Sequence, residues 1–150
     1  MKVITLGLTL LVLTTANVQA TKFTDEIAKA AFEAQIPFQL LYAVCKVESN
    51  HNPKALNRDD GVGDSIGFCQ IKVATAKLVD KTATREKLLN VDYNLKMSAL
   101  YLRYQLDRYE SDLRKAVCAY NAGSYREKSN GKAVNEIYYI KVKHQIFTIL

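Results

Sequence analysis

The stretch LLYAVCKVESNHNP, residues 40–53, has the pattern of an amphipathic helix followed by a turn. Leu41, Val44 and Cys45 lie at the i, i+3 and i+4 spacing of one helical face, and the next position on that face is Glu48. A carboxyl at the end of an apolar stripe loses hydration, which raises its pKa and suits it to act as a general acid. Two other interpretations stay open from this helix alone: a buried Lys or Arg neutralises Glu48, or the side chain turns out to solvent.

Residues 1–20, MKVITLGLTLLVLTTANVQA, have the pattern of a cleaved secretory signal. A basic start at Lys2 precedes an apolar run over residues 3–13, and the small-residue exit ends at Ala20. A membrane anchor needs about 20 apolar residues, and this run is shorter. We therefore predict a periplasmic or secreted protein without stable membrane insertion after cleavage, with one monomeric domain over residues 21–150.

The composition is basic, with 21 Lys and Arg against 15 Asp and Glu and a formal net charge of +6. Such a protein can meet nucleic acid, anionic lipid or an acidic wall polymer, and export argues against nucleic acid. There is no CxxC motif and there are two histidines, so no zinc site is predicted. In NRDDGVGD, the residues Asp59, Asp60 and Asp64 do not have the alternating spacing of calcium ligands. We expect neither a metal nor a cofactor.

The three cysteines, Cys45, Cys69 and Cys118, are an odd number. In an oxidising compartment at most one disulfide can form within the chain, and one thiol stays free. Counting alone leaves the connectivity open, and each cysteine can equally be a small buried apolar residue.

Helical periodicity dominates the rest of the chain, and strand-type alternation occurs nowhere at convincing length. The clearest stripe is Leu95, Ala99, Leu102, Leu106 and Tyr109, and a shorter helix that follows it stops at Asn121-Ala122-Gly123. Residues 50–67, rich in Gly, Asn and Asp, are predicted to be a loop. The predicted helices span residues 24–35, about 37–49, 70–79, 85–89, 95–109, 113–120 and 134–147, so the fold class is all-α.

Two further stretches carry neutral polar side chains beside apolar ones, IGFCQIK at residues 66–72 and AVCAYNAG at residues 116–123. Tyr, Asn and Gln can hydrogen-bond sugar hydroxyls and acetamido groups, and they can orient a carboxylic acid without ionising it. Each also has an ordinary structural interpretation: Gln70 at a helix start, Tyr120 in the core and Asn121 as a cap.

Taken together, four blocks resemble the soluble lytic transglycosylase family, whose catalytic domain shares the goose-type lysozyme fold. The blocks are Glu48-Ser49 followed by Asn52-Pro53 and Ala55, then GFCQI at residues 67–71, Asn94 followed by Tyr101-Leu102, and AYNAG at residues 119–123. They occur in the family's order and at similar spacing over nearly the whole predicted domain. The resemblance therefore implies a lysozyme-like helical domain with a glycan-binding groove.

The resemblance also implies a set of site residues. Glu48 is the implied catalytic acid, and the implied glycan-binding or supporting residues are Ser49, Asn57, Gln70, Tyr120, Asn121 and Tyr139. Asn57 stands where the family usually has Ser, and Cys69 stands where it usually has Met before the groove Gln. Because the resemblance puts Gln70 in the same groove as Glu48, it implies that Cys69 pairs with Cys45, while Cys118 stays reduced.

The implied reaction is cleavage of the β-1,4 bond between N-acetylmuramic acid and N-acetylglucosamine in peptidoglycan, forming 1,6-anhydromuramic ends. The motif blocks supply one carboxyl, Glu48, where two-carboxylate glycosidases need a pair. Two alternatives remain: a hydrolytic muramidase of the same fold, and a non-catalytic glycan-binding component of an envelope machine. By analogy, a small exported enzyme of this kind would partner a secretion or conjugation apparatus.

Overall fold

The computed structural model describes residues 23–58 and 63–149, which form a helical domain with one small sheet. The predicted signal at residues 1–20 and the residues Asp59 and Asp60 lie outside these ranges. The elements in chain order are α1 (Thr24–Glu33), α2 (Phe38–Ser49), β1 (Leu56–Asn57), β2 (Ser65–Ile66), α3 (Val73–Ala76), α4 (Arg85–Leu88), α5 (Val91–Arg108), α6 (Leu113–Ala122) and α7 (Glu136–Thr148). The predicted all-α class is confirmed.

The long helix α5 lies at the centre of the domain and packs against α1 and α6. Its predicted stripe is buried at Leu95, Ala99, Leu102 and Leu106. The Asn90 side chain caps this helix by accepting from the backbone N–H of Tyr93. On the other side of the core, α2 packs against α7, so the helix that carries Glu48 faces the C-terminal helix.

Two helix ends match the turn chemistry of the sequence. The helix α6 ends where Gly123 adopts a left-handed conformation with φ of 77°, as the Asn-Ala-Gly signal predicted. The helix α2 ends at Asn50, whose φ of 56° is also left-handed. This stop puts Glu48 in the last turn of α2, next to the loop that leads to β1.

The helix predicted over residues 70–79 is wrong in its first part. It begins at Val73 and lasts one turn, because residues 66–71 form a tight turn instead. Ile66 and Ile71 exchange backbone hydrogen bonds of 3.1 and 3.2 Å, and Gln70 has a left-handed φ of 51°. Leu56 and Asn57 pair antiparallel with Ile66 and Ser65, a short sheet that the sequence did not predict.

The last helix differs from its prediction in where it begins and in which face is buried. It begins at Glu136 rather than at about residue 134, and Val142 is its buried residue. Three apolar residues of this helix are largely exposed instead: Ile137, Ile140 and Phe147 are 70%, 56% and 63% exposed. Across the described ranges, the structure contains no helix with both the length and the apolar character that crossing a bilayer requires.

His51 is half-buried in the turn after α2. Its ring stacks on Phe68 with centroids 5.1 Å apart, and its Nε2 donates to the Tyr42 carbonyl oxygen at 3.0 Å, since a carbonyl can only accept. Burial is the largest cause that lowers the pKa of His51 below 6.5, and the nearby Lys46 charge adds to it.

The pH prediction follows from proton linkage. Below about pH 6.5 the unfolded chain protonates this histidine before the folded protein does, so stability is complete above that pH and falls as the pH drops below it. We expect the melting temperature to fall from pH 7 to pH 5.5 more steeply in the wild type than in His51→Asn, measured by circular dichroism. Equal slopes would show that His51 does not contribute.

Candidate active site

Glu48 lies half-buried in the last turn of α2, at the edge of a groove. Its Oε1 accepts a hydrogen bond of 2.6 Å from the hydroxyl of Tyr138 on α7. Burial, followed by the negative charge of Glu48, raises the pKa of Tyr138 well above its ordinary value, so this hydroxyl keeps its proton and donates. The carboxyl is therefore held in place by a neutral donor.

The groove beside Glu48 has a volume of about 230 Å³ and a mostly polar lining. The 66–72 turn and the C-terminal end of α6 both contribute to its lining. The lining residues are Glu48, Ser65, Gln70, Ile71, Lys72, Thr75, Tyr101, Tyr120, Asn121, Ala122 and Gly123. Of the described residues, Glu48 is the one carboxylate in this lining. The groove thus joins one acid to several neutral hydrogen-bonding groups.

Tyr120 is buried and ties α6 to the 66–72 turn. Its hydroxyl donates to the Cys69 carbonyl oxygen at 3.0 Å, across 51 residues of sequence. Burial is the main cause that raises the pKa of Tyr120, and the charge of Glu48 adds to it, so this phenol also stays protonated. The Tyr120 hydroxyl therefore hydrogen-bonds to the backbone of the neighbouring turn.

Asn94, buried in α5, holds the 66–72 turn against the core. Its Nδ2 donates to the carbonyl oxygens of Ile66 at 2.8 Å and Leu88 at 2.9 Å, and its Oδ1 accepts from the Cys69 N–H at 3.0 Å. Gly67 passes directly over this side chain with a φ of 72°, and a Cβ there would lie 2.7 Å from Asn94 Nδ2. Only glycine allows so close an approach in this conformation.

Gln70 reaches the groove through its unusual backbone conformation. Its Nε2 donates to the carbonyl oxygens of Ala55 at 3.1 Å and Gly67 at 3.0 Å, which fixes the side chain along the turn. Gln70 is therefore a groove residue as the resemblance implied, although it sits in a turn rather than at a helix start.

The predicted disulfide between Cys45 and Cys69 is present, with Cα atoms 4.2 Å apart and a sequence separation of 24. Cys118 is free and buried, as predicted. Because Cys45 lies one turn before Glu48 and Cys69 adjoins Gln70, the bond joins the helix of the acid to the turn of the groove.

Ser49 and Asn57 do not line the groove. The Ser49 hydroxyl donates to the Phe68 carbonyl oxygen at 2.6 Å and accepts from the Asn52 N–H at 3.0 Å. Ser49 therefore joins the end of α2 to the 66–72 turn. Asn57 is exposed on β1, opposite Ser65, and it is Ser65 that reaches the groove.

The tyrosine of α7 that contacts Glu48 is Tyr138, one residue before the predicted Tyr139. Tyr139 packs against the core and does not line the groove. The sequence held no signal that separates the two, because both Tyr138 and Tyr139 lie on the helical face of Val142, which the structure shows to be buried. Asn121 does line the groove, and its Oδ1 accepts from Asn135 Nδ2 at 3.0 Å.

Metal ligation finds no support in the described ranges, where no three His, Cys, Asp or Glu side chains gather as a metal ion would require. Asp64, from the NRDDGVGD segment, lies 3.6 Å from Arg85 in an ion pair and outside the groove lining.

Among the described residues, the helical domain places one carboxyl, that of Glu48, at the edge of a polar groove, an arrangement shared by the lysozyme-like class. The profile of the family described as Transglycosylase SLT domain matches residues 25–141, and the chain belongs to this family. Among solved structures, it is similar to an inactive Glu-to-Gln mutant of the lytic transglycosylase Slt from Pseudomonas aeruginosa, with a TM-score of 0.59 and 25% sequence identity. That match covers 66% of this chain and 16% of the other, so this protein corresponds to a small part of its larger relative.

Proposed function

We propose that this protein is a peptidoglycan lytic transglycosylase that cleaves the β-1,4 bond between N-acetylmuramic acid and N-acetylglucosamine. The observation that carries the proposal is the carboxyl of Glu48, the one carboxyl that the described residues place at the groove, which accepts a hydrogen bond of 2.6 Å from the hydroxyl of Tyr138 in a chain of the transglycosylase SLT family. The solved relative supports the same role for a Glu, since its inactive form has Gln in place of a Glu.

One carboxyl is sufficient if the substrate supplies the second group. Glu48 gives its proton to the glycosidic oxygen, the bond from that oxygen to the muramic anomeric carbon breaks, and the bond electrons stay on the leaving oxygen. The acetamido group of the muramic residue stabilises the cationic sugar. The muramic 6-hydroxyl then attacks the anomeric carbon and returns a proton to Glu48, which closes the 1,6-anhydro ring without water.

Tyr138 is suited to stabilise Glu48 after the acid has given up its proton. Once Glu48 has lost its proton, the carboxylate gains a charge-assisted hydrogen bond from the phenol. Because the pKa of Tyr138 is raised, the phenol does not compete to give up its own proton. Gln70, Asn121 and Ser65 offer neutral groups along the same groove for sugar hydroxyls and acetamido groups.

The setting that we propose is outside the cytoplasm, where peptidoglycan is found, with residues 1–20 as the export signal. Local opening of the wall for a secretion or conjugation apparatus is the proposed use, and the glycan strand is the proposed partner. An acidic wall polymer would also favour a basic protein, and this attraction weakens with salt.

The chemical test is the mass of the products. We expect the purified protein to release fragments that end in 1,6-anhydromuramic acid from intact peptidoglycan sacculi, because the 6-hydroxyl rather than water closes the reaction. Mass spectrometry separates the two outcomes, since hydrolysis adds one water to each cut. Products with only reducing muramic ends would show a muramidase instead.

A further inference from the structure

The first turn of α7, which brings Tyr138 to Glu48, is held by a cluster of contacts around Arg114. The Nε atom of Arg114 donates to both carboxylate oxygens of Glu136 at 3.1 Å, and its Nη2 donates to one of them at 2.5 Å. This forked pair joins the first turn of α6 to the first turn of α7. Hydrogen bonds from Arg114 are the largest cause that lowers the pKa of Glu136, so the carboxylate stays charged.

Arg114 and Glu136 also hold the segment that connects α6 to α7. Arg114 Nη1 donates to the Tyr125 hydroxyl at 3.0 Å, and Nη2 donates to the Gly131 carbonyl oxygen at 3.2 Å. Glu136 in turn accepts from the Ala133 N–H at 2.9 Å. A single guanidinium therefore fixes the start, the middle and the end of the connection that leads into α7.

The start of α7 depends on these contacts because it lacks an ordinary cap. Asn135, its N-cap residue, makes no side-chain hydrogen bond to its own helix. Its Nδ2 donates instead to the Cys118 carbonyl oxygen at 2.9 Å and to Asn121 Oδ1 at 3.0 Å, both on α6. The position of the first turn of α7 is thus set from α6, and Tyr138 lies in that turn, two residues after Glu136.

We propose that Arg114 and Glu136 are positioning residues for the active site, which hold α7 so that the Tyr138 hydroxyl stays on Glu48. The inference rests on the proposed role of Glu48. Neither residue lines the groove, so their effect on the reaction passes through Tyr138. The Tyr138 to Glu48 bond spans 90 residues of sequence, and a shift of the α7 turn by a fraction of an ångström lengthens it directly. Misplacement on this scale costs rate rather than substrate binding.

The test is a double-mutant cycle between Arg114→Met and Tyr138→Phe, read as kcat and KM for lysis of peptidoglycan. We expect each single variant to lower kcat by about tenfold or more, with KM changed by less than about twofold. In the Tyr138→Phe background, Arg114→Met should cost nothing further, because the contact that it positions is already gone. Equal losses in the two backgrounds would overturn the proposal.

Two further variants keep the result interpretable. Arg114→Lys keeps the charge but not the planar fork, so it should fall between wild type and Arg114→Met, and it replaces the latter in the cycle if that protein does not fold. Arg103→Met is the matched control: it breaks an ion pair with Asp107 on α5, and the Arg103 side chain has the same 31% exposure as that of Arg114. It should leave kcat unchanged, and a loss equal to that of Arg114→Met would contradict a specific role.

The same data separate this inference from the proposed function. A wild-type protein that makes no cuts, or one whose activity survives Glu48→Gln, contradicts the proposed function itself. An active wild type that needs Glu48, with additive losses in the cycle, contradicts only the positioning role of Arg114 and Glu136.

Discussion

Glu48→Gln is expected to lower the rate of peptidoglycan lysis by about 10²- to 10⁴-fold, because it removes the acid and base role of Glu48. An amide has no proton to give to the glycosidic oxygen and cannot take one back from the 6-hydroxyl. The fold should survive, because the side-chain oxygen of Gln can still accept the 2.6 Å hydrogen bond that Tyr138 donates to Glu48. The loss should therefore fall on kcat with the melting temperature nearly unchanged.

Glu110→Gln is the matched control for this variant. Glu110 is exposed in the turn between α5 and α6, and the same change of charge there should leave lysis unaffected. Turbidity loss of sacculi gives the rate, and co-sedimentation with sacculi gives binding. Near-normal lysis by Glu48→Gln would remove Glu48 from the mechanism. Binding without lysis in the wild type as well would favour the non-catalytic glycan-binding protein.

The sequence predicted the groove residues most accurately where they lie next to the end of a helix. Glu48 precedes a turn-forming segment, and Asn121 belongs to the Asn-Ala-Gly end of α6. Tyr120 adjoins that same end. In both cases the helix end determines which side chains reach the groove, and residues that end a helix can be recognised in the sequence.

The residues that the sequence missed depend on contacts far along the chain. Tyr138 reaches Glu48 across 90 residues, and a choice between two adjacent tyrosines requires the rotation of α7 about its axis to be known to about 50°, because neighbouring residues are about 100° apart. Ser65 enters the groove through its pairing with Asn57 across a loop, and the sequence shows no alternation there that would set a register. The helical pattern predicted from residue 70 onward overlaps the turn at residues 66–71, where hydrogen bonds with Asn94 outweigh that local preference.

Reduction of the bond between Cys45 and Cys69 is the other change with a large expected effect. The two cysteines are 24 residues apart, and closing a loop of that length stabilises the folded state by about 3 kcal/mol in the chain-entropy model. We expect the free energy of unfolding of the double variant, Cys45→Ala with Cys69→Ala, to be lower than that of the wild type by about this amount. Denaturant titration measures the difference. A reducing agent should produce a similar loss in the wild type and no loss in the double variant.

Cys118→Ala provides the control, since Cys118 is free and its replacement leaves the disulfide intact. That variant should keep the full response to a reducing agent, whatever its own packing cost. Lysis should weaken with reduction before the protein unfolds, because the bond joins the helix of Glu48 to the turn of Gln70. A wild type whose stability does not respond to reduction, or a linked peptide that contains Cys118, would show that this pairing is not the one that stabilises the protein.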